Sequence, residues 1–316
     1  MAVRLLREVR VELSRRVPIL KGLTRRYKNA RAVVRNAFWP PSRSFRECRD
    51  LFRERTGLEI GGPSALFDRY GLFPIYPLLA RLDNCNFHFR TIWEGEIQEG
   101  PCYQYDRRRG PGYQFVREAA DLTGIPSERY QVLLSSHCLE HIANPLKAMR
   151  EWLRVLVPDG LVVLVVPHRD AACDHRRPVT TLAHMIDDFE QGRDEDDRTH
   201  VPEALALHDR DRDAGRPTRE EFIQRTEANA TNRALHHHVF VSETVAALMD
   251  HLGLQILTLE PLRPLHIVAI GQKVPFGHRP DNSRFFGDRS VYRRGSPFPS
   301  DRFAVGNGFE SSPVPC

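Results

Sequence analysis

Two sets of residues in this 316-residue chain have types and spacing that can do chemistry. The first is Leu58-Glu59-Ile60-Gly61-Gly62-Pro63-Ser64, a short apolar run that ends in a glycine turn, with Asp83 following 22 residues after Gly61. In a strand-turn-helix unit, glycines let the backbone approach a nucleoside ligand, and an acidic residue on the next strand accepts hydrogen bonds from ribose hydroxyls. The turn lacks the G-x-G-x-x-G spacing of dinucleotide sites. The second set is the histidines and aspartates between residues 168 and 238. Imidazole is the side chain best suited to moving a proton near neutral pH. His168 or His238 is expected as a general base, with Asp174 or Asp170 orienting it. Histidine and carboxylate also ligate divalent ions. The spacing of Asp174, His175, His200, His208 and His238 matches no metal motif, however, and no metal is expected.

These residues need elements to hold them. Gly57 to Ile60 reads as a buried strand entering the turn, and Tyr76 to Leu82 as the next apolar segment, ending in Asp83. Tyr130 to Ser136 is a strand, Pro145 to Leu156 an amphipathic helix, and Leu161 to Val166 a strand apolar on every residue. Such a run implies that both of its faces are covered, as in the middle of a parallel sheet. Ser242 to Leu252 has helical periodicity, with Ser242 as N-cap and Gly253 as stop, and strands follow at Leu254 to Leu259 and Leu265 to Gly271. The alternation predicts an α/β, doubly wound, Rossmann-like fold. Residues 168–235 interrupt it as a polar His/Asp-rich insertion. In a parallel sheet, ligands bind beyond the carboxyl ends of the strands, where His168 and the insertion should lie.

At this point the residues resemble a known family. Glu59-Ile60-Gly61-Gly62 looks like the acidic-x-Gly opening of class I S-adenosylmethionine-dependent methyltransferases. Tyr130-Gln131-Val132-Leu133-Leu134-Ser135-Ser136-His137-Cys138-Leu139-Glu140-His141-Ile142-Ala143-Asn144-Pro145 is similar to their Y-D-x-V-x-S-x-x-x-L-E-H-x-x-N-P segment, and Pro158-Asp159-Gly160 to the turn that follows it. His238-Val239-Phe240 resembles the opening of their late helix, and Asp174-His175-Arg176-Arg177-Pro178 resembles an insertion found in one bacterial subset. The resemblance implies a mostly parallel seven-stranded sheet and S-adenosyl-L-methionine as cofactor; the residues themselves add an N-terminal helical arm, from Val3, Leu6, Val9, Leu13 and Val17 near helical spacing, and make the 168–235 insertion a lid. Gly61 and Gly62 would lie under its methionine part, with Ser64 on the same loop and Glu59 orienting it. Asp83 would bind the ribose, and Asp121, followed by Leu122, would meet the adenine. Ser135, Ser136 and His137 would face the sulfonium. Glu140 and His141 are read as a packing pair.

Three regions are expected: a basic helical arm over 1–50, a methyltransferase domain over 51–272 and a poorly ordered tail over 273–316. The arm holds 14 Lys or Arg against 4 acids within a net +5 chain, suiting a peripheral membrane or protein contact. The core shows no basic or aromatic platform, so a nucleic-acid acceptor ranks behind a small-molecule or glycan hydroxyl. A protein that binds the cofactor without turnover is the remaining reading. Six scattered cysteines with no CxxC pair and no apolar leader suit a cytoplasmic setting. No apolar run approaches the roughly 18 residues that span a bilayer.

Overall fold

The computed structural model describes residues 41–213, 215–275 and 277–302. The basic helical arm expected over 1–50 lies, as far as residue 40, outside the described residues. The largest sheet contains β1 (Thr56–Ile60), β2 (Arg81–Asn86), β5 (Gly100–Tyr103), β6 (Gly112–Val116), β7 (Tyr130–Ser136), β8 (Leu156–Pro167), β9 (Leu254–Leu262) and β10 (His266–Lys273). β3 (Arg90–Thr91) and β4 (Gly95–Glu96) form a separate small hairpin. The large sheet has the order β5-β6-β2-β1-β7-β8-β10-β9. Its middle, from β6 to β8, is parallel, whereas β10 runs antiparallel to β8 and β9, and β5 antiparallel to β6.

The all-apolar run of β8 has the expected cause. Val162, Leu164 and Val166 join the core on one face, with Trp152 and Leu146 of the helix Pro145–Val155 and Leu248 and Met249 of the helix Ser242–His251. Leu161, Val163 and Val165 join Phe52, Phe67, Phe73 and Leu79 on the other. The sheet has eight strands rather than seven because the segment after β2 folds back as β5, whose residues are partly exposed and carry no apolar alternation.

Three stretches differ from the sequence reading. Tyr76–Leu78 is a 3-10 turn with a proline in its first positions, and the strand begins at Arg81, so Asp83 stands in mid-strand opposite Leu58. Residues 41–50, assigned to the arm, pack on the domain: the Ser44 hydroxyl lies 2.6 Å from that of Thr258, and the backbone N–H of Ser44 donates to Glu260. The segment expected to be a poorly ordered tail folds back as far as Arg302, burying Phe285, Tyr292, Phe298 and Asp301. Aromatic anchors without periodicity hold it. Ser242, expected as an N-cap, instead donates its hydroxyl to Asp301. Phe298 stacks on the His168 ring at 4.1 Å. Phe298→Ala is expected to cost roughly 3 kcal/mol, read as a shifted urea midpoint at unchanged slope; no shift would mean that the segment is not part of the folded core.

No helix among the described residues is long and apolar enough to cross a membrane.

Candidate active site

The carboxyl ends of β1, β2 and β7 open onto a cavity of about 670 Å³ whose far wall is the insertion. The glycine turn is built to stay open on that side. Gly61 has φ +78°, a conformation that costs any L side chain, and a Cβ there would come within 3.1 Å of Cys138 Sγ. A Cβ on Gly62 would stand 2.3 Å from the Glu59 carboxyl carbon and 2.7 Å from Tyr103 Oη. Both backbone polar groups of Gly62 are held by the Asn84 amide, at 3.1 and 3.2 Å.

Glu59 sits behind the turn, fully buried. Its carboxylate accepts hydrogen bonds from Tyr103 Oη at 2.6 Å, from Tyr76 Oη at 2.7 Å and from the Ser64 N–H at 3.1 Å. Burial pushes its pKa up to about 7, against the pull of the two tyrosine hydroxyls. Ser64 Oγ donates to Ser136 Oγ at 3.0 Å, tying the loop to the end of β7. His137, left-handed at φ 51°, places its Nε2 2.8 Å from His266 Nδ1. Gly61, Ser64, Ser136 and His137 line the cavity. Glu140 lines it as well, buried, with Oε2 lacking a hydrogen-bond partner.

Two expected contacts lie elsewhere. Asp83 is drawn away from the cavity: its carboxylate accepts from Arg81 Nε at 2.9 Å, Tyr130 Oη at 2.8 Å, Arg129 at 3.2 Å and the Tyr113 N–H at 2.8 Å. The residue that lines the cavity from the end of β2 is Asn86, whose Nδ2 donates to Gly62 O at 3.3 Å. Asp121 lies in a separate surface groove and accepts from Thr123, while Leu122 is a core residue; Glu118 and Ala119 line the cavity instead. Register explains both shifts, since side-chain direction alternates along a strand and is reset by each following turn.

The histidines separate in the same way. His168 is sealed beneath the C-terminal segment, its Nε2 3.2 Å from Asp301 Oδ1, and it does not line the cavity. Burial would raise the Asp301 carboxyl, but His168, Ser296 and Ser242 hold it below its ordinary value. Asp170 is engaged by the N–H of Ser300 at 2.8 Å and by its hydroxyl. His238 is also fully buried and outside the cavity; burial first, and then its neighbours His237 and His200, depress its pKa far below the usual imidazole value. Asp174 does line the cavity, and its imidazole partner is His236, bonded through Nδ1. Arg177, almost entirely buried, donates to Asp174 Oδ1 at 3.2 Å and to Glu203 at 2.6 Å, and His208 Nδ1 stands 3.8 Å from Asp174. Burial alone would lower His236, but the Asp174 carboxylate pushes it up to about 9. In the run His236-His237-His238 only the first faces the cavity, a division that the backbone path makes and residue type cannot.

A glycine turn at the carboxyl end of the first strand of a doubly wound sheet, bordering a deep cavity, is the arrangement of a class I S-adenosylmethionine-dependent methyltransferase. The chain belongs to the methyltransferase-domain family, whose model matches residues 25–259. Solved structures similar to it include a SAM-dependent methyltransferase from Aquifex aeolicus (10% identity, 73% of this chain and 89% of that one, TM-score 0.37). The 1,6-didemethyltoxoflavin-N1-methyltransferase of Burkholderia thailandensis is also similar (13%, 80% and 88%, 0.41), as is an S-adenosylmethionine-dependent methyltransferase from Mesorhizobium loti (14%, 72% and 95%, 0.41). No curated protein matches. The cofactor is S-adenosylmethionine, and the turn fits it: Gly61 lines the cavity in a left-handed backbone with no side chain between the chain and the open space, and Gly62 packs against Glu59 and Tyr103 behind it.

Proposed function

We propose that the chain methylates a hydroxyl of a small molecule or glycan, with His236 as the base and Asp174 as the residue that positions it. What supports this reading is one arrangement: the same cavity is lined by the glycine turn and by the Asp174–His236 pair. Its volume falls in the range of about 300–1,000 Å³ typical of small-molecule sites. Bound S-adenosylmethionine supplies an electrophilic methyl group. The chain's own part is to align the acceptor oxygen and remove its proton. Gly61, Gly62 and Ser64 would hold the methionine end, Asn86 would meet the ribose where the strand end offers an amide rather than a carboxylate, and Glu118 and Ala119 would border the adenine. Ser136, His137 and the free Glu140 oxygen would lie near the reacting centre. Residues 168–235 serve as the lid. The test is to supply labelled S-adenosylmethionine with separated small-molecule, glycan and nucleic-acid fractions of a cell extract. Label is expected in the first two, and label confined to nucleic acid would overturn the reading.

The pKa of His236 gives this proposal a pH signature. The imidazole must be neutral to accept a proton, and its value lies near 9. The rate is therefore expected to climb about tenfold per pH unit below that value and to level above it. Asp174→Asn removes the raising charge, so the inflection should fall towards the ordinary imidazole value of about 6.5. The linked stability runs in the opposite direction. A folded pKa above the unfolded one stabilises the chain fully below about pH 6.5, and this contribution is lost as pH rises through about 9. A flat rate profile across this window would remove His236 from the role.

A further inference from the structure

A second histidine cluster lies outside the cavity, in the same insertion. His184 and Asp188 stand one turn apart on the helix Leu182–Glu190, so their side chains share a face. His200 immediately precedes the helix Val201–Leu207, and His238 lies in a loop two residues before Phe240, which forms an isolated bridge with His168. These three segments bring four donor atoms together. His184 Nε2 is 3.2 Å from His200 Nε2 and 3.4 Å from Asp188 Oδ2, and His238 Nε2 is 3.9 Å from that same oxygen. All four donors fall within 4.8 Å of one another. Ligands bonded at 2.0–2.1 Å around a tetrahedral ion stand about 3.3 Å apart. The cluster therefore has the dimensions of a four-coordinate shell.

The charge arrangement points the same way. Asp188 is 4% exposed, yet its Oδ2 has no hydrogen-bond partner, and His238 Nδ1 has none either. A buried carboxylate oxygen left unpartnered costs free energy that a cation would recover. The helix is fixed around it: Thr181 caps the helix by accepting from the His184 N–H, and the Asn144 amide donates to the Asp188 carbonyl at 3.1 Å. The His184 side chain is 42% exposed, which leaves an entry path.

We propose that His184, Asp188, His200 and His238 bind a divalent metal ion, zinc by their chemistry, in a closed site that fastens the insertion to the sheet. Three imidazoles and one carboxylate suit zinc; calcium and magnesium prefer oxygen shells. With four protein ligands and no open position the metal is structural. His238 Nε2, which lies 3.2 Å from the Ala143 carbonyl, would face the ion as the neutral tautomer with its ring proton on Nδ1, the nitrogen that has no hydrogen-bond partner. The site lies two residues from His236 along the chain, so it would set the position of the cavity wall without touching an acceptor. This inference does not depend on which acceptor is methylated.

The test uses the full-length chain. Dialysed against micromolar zinc and then washed, it is expected to retain one zinc per chain, to melt at a higher temperature than the chelator-treated protein, and to show the intense visible bands of tetrahedral cobalt when cobalt replaces zinc. Asp188→Asn and His184→Gln keep side-chain size and should lower zinc affinity by at least about 100-fold, more than loss of a residue behind the ligands costs. Their circular dichroism should match that of the parent. His200→Ala is the stronger variant should those two prove mild. Failure of the folded parent to retain zinc would overturn the proposal. So would zinc that survives all three substitutions but is lost on His236→Ala, which would move the ion to the Cys173, Asp174 and His236 group.

Discussion

His236→Ala should leave a folded protein that binds S-adenosylmethionine as tightly as the parent but transfers methyl groups about 10²–10⁴ times more slowly, the usual loss when a general base is removed. The separation of binding from turnover follows from the geometry. His236 faces the cavity from the segment that follows the insertion, whereas the glycine turn, Asn86 and Ser136 face it from the sheet. The side chain is largely buried against His141, with ring centres 4.5 Å apart, so some loss of stability will accompany the change. Circular dichroism and cofactor titration on the same preparation separate that effect from catalysis. His236→Gln, closer in size, should be nearly as slow. A variant that retained more than about a tenth of the parent rate would place the proton acceptor elsewhere, with Glu140 the next candidate from its buried, unpartnered oxygen.

Gly61→Arg has the opposite signature, because cofactor binding itself is lost. The left-handed backbone at Gly61 costs a side-chain-bearing residue roughly 1–2 kcal/mol. The new Cβ presses on Cys138, and the guanidinium has only the cavity to enter. Affinity for S-adenosylmethionine is expected to fall at least about 100-fold, equivalent to about 2.7 kcal/mol. Gly61→Ala should show the backbone part alone, near tenfold. Calorimetric titration reads both variants; an Arg variant that binds normally would mean that the turn does not cradle the cofactor.

How much of this could be read from residues alone depended on burial. The strands at Tyr130–Ser136 and within Leu156–Pro167 were legible because alternate side chains feed two cores, leaving no polar position in the middle of the run. β2 was misjudged for the converse reason: its buried residues include Asp83, Asn84 and Asn86, satisfied by hydrogen bonds to Arg81, Gln114 and Gly62, so a hydrophobic criterion ends the strand too early. That reading put Asp83 at the strand end, a position that Asn86 occupies. The folded segment up to Arg302 was hidden because its anchors, Phe285, Tyr292 and Phe298, follow no helical or strand period. The glycine turn was legible as a cofactor site only together with the Tyr130–Pro145 segment. Choosing among fourteen histidines was not possible from sequence. His168 and His238 are buried away from the cavity and His236 faces it, an outcome set by tertiary contacts with Asp301, Ala143 and Asp174.

The central claim is that one cavity, between the glycine turn and the insertion, holds the cofactor opposite the Asp174–His236 pair. A crystal structure of the full-length chain with S-adenosylhomocysteine addresses it most directly. The ligand is predicted to lie between Gly61 and the Ser136–Glu140 segment, its ribose beside Asn86 and its sulfur on the side that faces His236. Ligand bound in another part of the molecule, or its sulfur turned away from His236, would contradict the account.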